Sequence, residues 1–237
     1  MPAGLDGNPD PDTSRLREQV LDAIVERSLG VAGRPLLVGV DGRSGSGKST
    51  FADELARTFT ARGEPAVIRS TTDSFHNPRE VRYRRGAKSP EGYYFDSFNV
   101  AAIRRELLDP VKSGSGRYRS AVFDEPSDMP VEEEPARVHP AAVLVFDGLF
   151  LHRPELLGYW DVSVLLVGDD RALRDTVAWA ERETRSSGRH LFFWSLWWWS
   201  HARRYVEGWS IYESECNPAR SATFVVDNND FVAPYFV

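Results

Sequence analysis

Residues 42–49 read Gly42-Arg-Ser-Gly-Ser-Gly-Lys-Ser49, a complete G-x-x-x-x-G-K-[ST] phosphate loop. The chemistry explains the spacing. Glycines let successive backbone N–H groups curl around a phosphate, and the N-terminus of the following helix adds partial positive charge. Lys48 is placed to reach the β- and γ-phosphates, and the Ser49 hydroxyl to ligate Mg²⁺. The rest of the cradle is Gly42, Ser44, Gly45, Ser46, Gly47 and Thr50. ATP and Mg²⁺ are therefore the expected cofactors.

Three acids follow apolar runs, where catalytic groups of open α/β sheets collect. Asp147 ends the strongest run and is placed to hold Mg²⁺ with Ser49. Asp73 follows a second run and could deprotonate an acceptor hydroxyl. Asp41, directly before the loop, reads as structural. Arginines at 182, 185 and 189 could neutralise charge as a phosphoryl group transfers, with Arg182 and Arg185 as catalytic candidates. Phe192-Phe-Trp-Ser-Leu-Trp-Trp-Trp199 puts Trp194, Trp197 and Trp198 at i, i+3, i+4, one helical face. Three readings stay open for it: core, a dimer or lid contact, or an acceptor pocket wall containing Trp197.

These groups need a scaffold, and the pattern supplies one. A helix is expected over about 14–29, with Thr13 or Ser14 as cap, and strands over 36–40, 66–70, 142–146, 162–167 and 222–226. Helices are expected over 50–62, 100–108, 170–183 and about 191–213, with a small ribbon near 117–124 and a solvated linker at 132–135. Residues 74–99 read as a long functional loop. Strands alternating with helices predict an α/β protein, a parallel sheet with helices on both faces. Residues 1–13 read as a disordered arm and 14–237 as one domain, with a helical lid at about 182–205.

The 237 residues are 41% hydrophobic, which allows a sizeable core. Net charge is −6, which argues against a nucleic-acid partner despite the cluster Arg79, Arg82, Arg84, Arg85 and Lys88. The single cysteine, Cys216, permits no internal disulfide and fits a reducing compartment. The Gly/Pro/Asp-rich start has no apolar signal core, and the run 191–199 is too short to span a membrane. A cytoplasmic protein without a membrane partner is expected, with a homodimer left open.

Gly39-Val-Asp-Gly-Arg-Ser-Gly-Ser-Gly-Lys-Ser-Thr50, Asp73-Ser-Phe-His76, Tyr93-Tyr-Phe-Asp96, Asp147-Gly148 and Val225-Val-Asp-Asn-Asn229 together resemble the uridine kinase and phosphoribulokinase family of P-loop kinases. Residues 83–98 look like its bacterial uridine-kinase-like branch. The resemblance spans about 30–230. It implies a nucleoside-kinase-like P-loop nucleoside triphosphate hydrolase fold and γ-phosphoryl transfer from ATP to an alcohol, with a nucleoside as first candidate. It implies that Asp73 is the base for a ribose 5′-hydroxyl, that Asp96 holds the ribose hydroxyls and that Asp147 helps hold Mg²⁺. Acceptor contacts are expected from Phe75, His76, Tyr83, Tyr93, Arg119, Arg189 and Arg204. Two positions depart from the pattern: Arg204 stands where the family places a base-contacting glutamine, and the ribbon's pyrimidine-contacting histidine has no counterpart near 124–128. These departures predict poor use of uridine and cytidine. The alternatives are a kinase for a natural product or antibiotic, and a P-loop ATPase or GTPase switch acting on water.

Overall fold

The computed structural model describes residues 11–168 and 191–237; for 11–14 and 191–203 it describes the backbone only. Helix α1 spans Pro11–Leu29. It starts earlier than expected, so residues 11–13 belong to the helix and not to an arm. Proline suits a first helical position, where its missing N–H would have no partner. Residues 1–10 of the expected arm lie outside the described residues.

Among the described residues ten strands follow in chain order. Strand β1 is Leu36–Gly42 and β2 is Val67–Thr71, joined through helix α2, Lys48–Ala61. Four two-residue strands make the ribbons: β3 Arg117–Tyr118, β4 Phe123–Asp124, β5 Met129–Pro130 and β6 Ala136–Arg137. Then come β7 Val143–Gly148, β8 Val162–Val167, β9 Phe224–Asp227 and β10 Tyr235–Phe236. The main sheet has the order β10-β9-β8-β1-β7-β2. Its strands are parallel except β10, which pairs antiparallel with β9. The sheet is thus mixed, not purely parallel. Strand β10 has only two residues, too few for any period to be read.

Strand alternation sorts the core into two layers. Leu36, Val38, Val40, Val143, Val145, Val162 and Val164 pack with Ile24 of α1 and Phe51, Leu55 and Phe59 of α2. Leu37, Leu144, Phe146 and Leu165 face the other way, against Tyr94, Ile103, Leu107, Trp209 and Tyr212. Helices therefore cover both faces, as expected.

Residues 72–99 are not a plain loop. They fold into a 3₁₀ turn Thr72–Phe75 and helices Arg79–Arg82 and Pro90–Asp96, the last capped by Ser89 Oγ accepting from Gly92 N–H. The next helix runs on to Ser113 through a π turn, Ile103–Leu108. Pro110 supplies the cause: it has no N–H for the carbonyl four residues earlier, and its ring crowds that carbonyl.

The long helix Leu191–Cys216 crosses helix Pro90–Asp96 at Gly208. A Cβ at Gly208 would lie 2.7 Å from Tyr93 Cδ1 and 3.0 Å from the Pro90 carbonyl oxygen. Gly208→Ala is therefore expected to destabilise the fold by about 1–3 kcal/mol through overpacking, more than the ~1 kcal/mol that alanine's helix propensity returns. Urea unfolding measures this; a midpoint at or above wild type would mean the helices can part freely.

Candidate active site

Register places the chemistry. Across the parallel pairs, Val40 and Thr71 both stand opposite Asp147. The strand ends carrying the phosphate loop, Asp147 and the turn to Asp73 therefore meet at the carboxyl edge of the sheet.

The loop leaves β1 at Gly42 and enters α2 at Lys48. Gly45 and Gly47 take φ of 81° and 78°, the left-handed region that favours glycine. A Cβ at Gly47 would also strike the Phe231 ring at 2.9 Å. The cradle is pinned from the chain's far end: Asn228, 2% exposed, donates from Nδ2 to the Ser46 carbonyl at 2.7 Å. Arg17 Nη1 in turn donates to Asn228 Oδ1 at 3.3 Å and to the Phe231 carbonyl at 2.6 Å. A second cavity of about 550 Å³ opens beside Gly47 and Thr50, between α1, α2 and Phe231. Lys48 Nζ donates back to the Arg43 carbonyl at 3.3 Å. A cradle whose glycines leave no room for side chains, ending in a helix N-terminus, fits a triphosphate.

Ser49 and Asp147, paired by expectation, are in contact. Ser49 Oγ donates to Asp147 Oδ2 at 2.7 Å, and the Asp147 carboxylate is buried. Arg69 Nη2 stands 2.7 Å from the other oxygen, Oδ1, as an ion pair, yet among the described residues no donor is aligned for a hydrogen bond to that atom. Hard oxygen donors with spare capacity fit Mg²⁺. Among the described residues no cluster of three or more acid, histidine or cysteine side chains could hold a metal. Ser49 and Asp147 would thus be the protein's share of the coordination.

Asp41 is structural, as expected. Wholly buried, it accepts from the N–H groups of Gly42 at 2.8 Å and Leu151 at 3.1 Å and from the Tyr212 hydroxyl, and it contacts His152 Nδ1 at 2.9 Å.

A cleft of about 520 Å³ lies beside the loop. Asp73, His76, Tyr83, Tyr93 and Arg204 line it, five of the expected acceptor contacts, together with Ser44 of the loop. Asp73 is exposed on its 3₁₀ turn, and no described residue donates a hydrogen bond to its carboxylate. Tyr93 OH lies 3.1 Å from Ser44 Oγ, joining cleft to cradle; burial pushes its hydroxyl pKa well above the ordinary tyrosine value. Arg204 is committed elsewhere. Its guanidinium lies over the rings of Tyr83 at 4.8 Å and Tyr93 at 5.7 Å and donates to the carbonyls of Ala87 at 3.0 Å and Arg82 at 3.4 Å. It shapes the wall more than it offers free donors.

Three expected contacts are not in the cleft. Phe75 is fully buried against Phe146. Arg119 pairs with Glu106 at 3.3 Å and donates to the Glu133 carbonyl at 3.1 Å. Asp96 is 2% exposed, and its carboxylate is held by Arg84 and, at 2.7 Å, by Arg85. Burial alone would raise the Asp96 pKa, but the two guanidiniums outweigh it and hold the carboxyl below the usual carboxylate range. Arg182, Arg185 and Arg189, and the Trp197 side chain with the rest of its aromatic face, lie outside the described residues, as do residues 182–190 of the expected lid.

The sequence reading missed several cleft residues. Arg82, 4% exposed, pairs with Glu125 and, at 3.3 Å, with Asp128, so it staples the β4–β5 ribbon to the cleft. Asp124 and Tyr205 also line the cleft. The Ser127 hydroxyl and N–H hold the Asp124 carboxyl below its ordinary range. The one available signal was charge complementarity between 79–88 and 124–128.

Fold and cradle together define a P-loop protein of the kinase type. The chain belongs to the phosphoribulokinase / uridine kinase family, whose sequence profile matches residues 37–186. It is 32% identical over 124 residues to a uridine kinase of Leuconostoc citreum, which is 50% of this chain and 54% of that one. It is 24% identical over 179 residues to a uridine kinase of Lactobacillus helveticus, covering 69% and 74%. The matched part is thus little more than half the length of the first relative. Among solved structures, one described as a possible uridine kinase from Bacillus stearothermophilus superposes with a TM-score of 0.66 at 21% identity, covering 90% of this chain and 98% of that one. D-glycerate 3-kinase from Cryptococcus neoformans superposes with a TM-score of 0.55 at 11% identity, covering 97% and 100%. At these identities the structures establish the fold.

Proposed function

We propose that this chain is an ATP-dependent kinase that transfers the γ-phosphoryl group to a hydroxyl of a small molecule, with a nucleoside as first candidate. The observation that carries the reading is the convergence of three parts at one sheet edge: the glycine cradle, the Ser49–Asp147 pair and a cleft lined by Asp73, whose carboxylate has no hydrogen-bond donor among the described residues. Asp73 would take the acceptor's hydroxyl proton while the acceptor oxygen forms its bond to the γ-phosphorus and the bond to the ADP oxygen breaks. Lys48 and the α2 N-terminus would hold the phosphates in line. Mg²⁺, when bound at Ser49 and Asp147, supplies charge neutralisation on the phosphate oxygens. Phe231 and the neighbouring cavity, next to Gly47 and Thr50, would receive the nucleotide's base.

The cleft favours an alcohol acceptor over a switch that uses water, since a switch needs no cavity of this size beside its phosphate loop. A cytoplasmic small-molecule enzyme acting without nucleic acid or membrane is part of the same proposal. Among the described residues no helix is long and apolar enough to cross a membrane. The role implied for Asp96 as a ribose clamp gains nothing from the geometry, because both carboxylate oxygens face arginines outside the cleft. Arg204, tied to carbonyls, offers no glutamine-like donor–acceptor pair to a pyrimidine.

The test is ADP release from Mg-ATP over uridine, cytidine, other ribosides and riboside-free alcohols. At least one alcohol is expected to raise ADP release by about 100-fold or more over water alone, since the acceptor's binding energy supplies positioning that water lacks. Uridine and cytidine are expected to trail. Hydrolysis that no alcohol accelerates would replace the kinase reading with the switch.

A further inference from the structure

Arg69 is an unusual neighbour for a metal-binding carboxylate. It sits mid-strand in β2, at the sheet edge, and points to the face that α2 covers. Its Nε donates to Asp53 Oδ1 of α2 at 2.8 Å. Its Nη1 donates to the Ser70 carbonyl, and its Nη2 lies 3.4 Å from the Ser49 carbonyl and 2.7 Å from Asp147 Oδ1. One guanidinium therefore touches both residues that would hold Mg²⁺, and it is fastened at its other edge. Asp147 is buried between this cation and the Ser49 hydroxyl.

Two consequences follow from charge. A divalent cation arriving alone would meet one carboxylate and one hydroxyl, with a fixed positive charge already on that carboxylate. Mg²⁺ wants about six oxygens and loses its waters reluctantly, and among the described residues no group of three or more acid, histidine or cysteine side chains is gathered to supply them. Asp53 shares the charge of Arg69 only at the guanidinium's far edge, so the further anionic oxygens needed beside Asp147 are those the phosphates bring. We infer that Arg69 is a positioning residue that fixes the Asp147–Ser49 pair and keeps it from binding a divalent cation until a nucleoside triphosphate brings further anionic oxygens. The inference rests on the proposed triphosphate site. What it adds is the side chain responsible: Arg69, held against Asp147 and the Ser49 carbonyl, keeps the pair in reserve.

The probe is Mn²⁺, followed by the electron paramagnetic resonance signal of the free ion as the nucleotide-free protein is titrated. Wild type is expected to bind Mn²⁺ weakly. Arg69→Gln removes the charge at a partly exposed edge-strand position and is expected to tighten Mn²⁺ binding by about tenfold or more, the scale of one nearby like charge at intermediate dielectric. Arg69→Lys keeps the charge and is expected to stay as weak as wild type. Adding Asp147→Asn to Arg69→Gln should abolish the gain, which locates the metal. Unchanged Mn²⁺ affinity in Arg69→Gln, or equal tightening in Arg69→Lys, overturns the inference. Wild-type binding of Mn²⁺ together with a non-hydrolysable ATP analogue is measured separately. Failure there would remove the triphosphate site itself, whatever Arg69 does to the free ion.

Discussion

Lys48→Ala is expected to lower kcat/KM for phosphoryl transfer by about 100-fold or more while leaving the unfolding midpoint near wild type. The size follows from removing one preorganised electrostatic stabiliser of the transferring phosphoryl, about 2.7–4 kcal/mol. The small structural cost follows from the residue's place. Lys48 opens α2, and its only described polar contact is a long one, 3.3 Å, to the Arg43 carbonyl of its own loop. Nothing in the core leans on the ammonium. Steady-state ADP release with a productive acceptor gives the rate, and thermal unfolding gives the control. Near-normal turnover in the variant would remove the phosphate loop from the chemistry. A collapse of stability would mean that the ammonium chiefly holds the loop together.

What could be read in the sequence follows from what leaves a local trace. The run 162–167 appears as β8 with the same bounds, because six residues buried on both faces must all be apolar or small. The phosphate loop was legible because its φ requirements and its ligands sit within eight residues. The Ser49–Asp147 contact follows from the fold once β1 and β7 are neighbours; Ser49 was readable as the last position of the phosphate loop and Asp147 as strand-end chemistry. Helices of four to seven residues in 72–96 were not legible, since one or two turns carry no period. Asp96 misled for another reason: its motif was intact, but Arg84 and Arg85, twelve and eleven residues earlier, close on it only in three dimensions. The Arg69–Asp147 and Arg82–Glu125 pairs are long-range in the same sense, and arginine is too common in this chain for any single one to stand out.

Asp73→Asn separates a base from a ligand. The substitution keeps the side chain's shape and removes proton acceptance. In this structure it breaks no described hydrogen bond, because the Asp73 carboxylate faces the cleft and its turn is held by backbone groups: the Asp73 N–H lies 3.4 Å from Thr71 Oγ1 and the Asp73 carbonyl 3.0 Å from His76 Nδ1. The unfolding midpoint and the affinity for an ATP analogue with Mg²⁺ are therefore expected to stay at wild type. Turnover is expected to fall by about 100-fold or more, the lower part of the range for losing a general base. Asp147→Asn gives the contrasting pattern, since it removes a buried charge that Arg69 and Ser49 both contact: metal-dependent nucleotide binding should weaken along with turnover. The two variants are compared by calorimetric titration of the nucleotide and by single-turnover transfer to a productive alcohol. If Asp73→Asn weakens nucleotide binding as Asp147→Asn does, Asp73 belongs to the metal site and the proton must leave by another route. If binding holds and only transfer fails, the cleft beside the phosphate loop has its base.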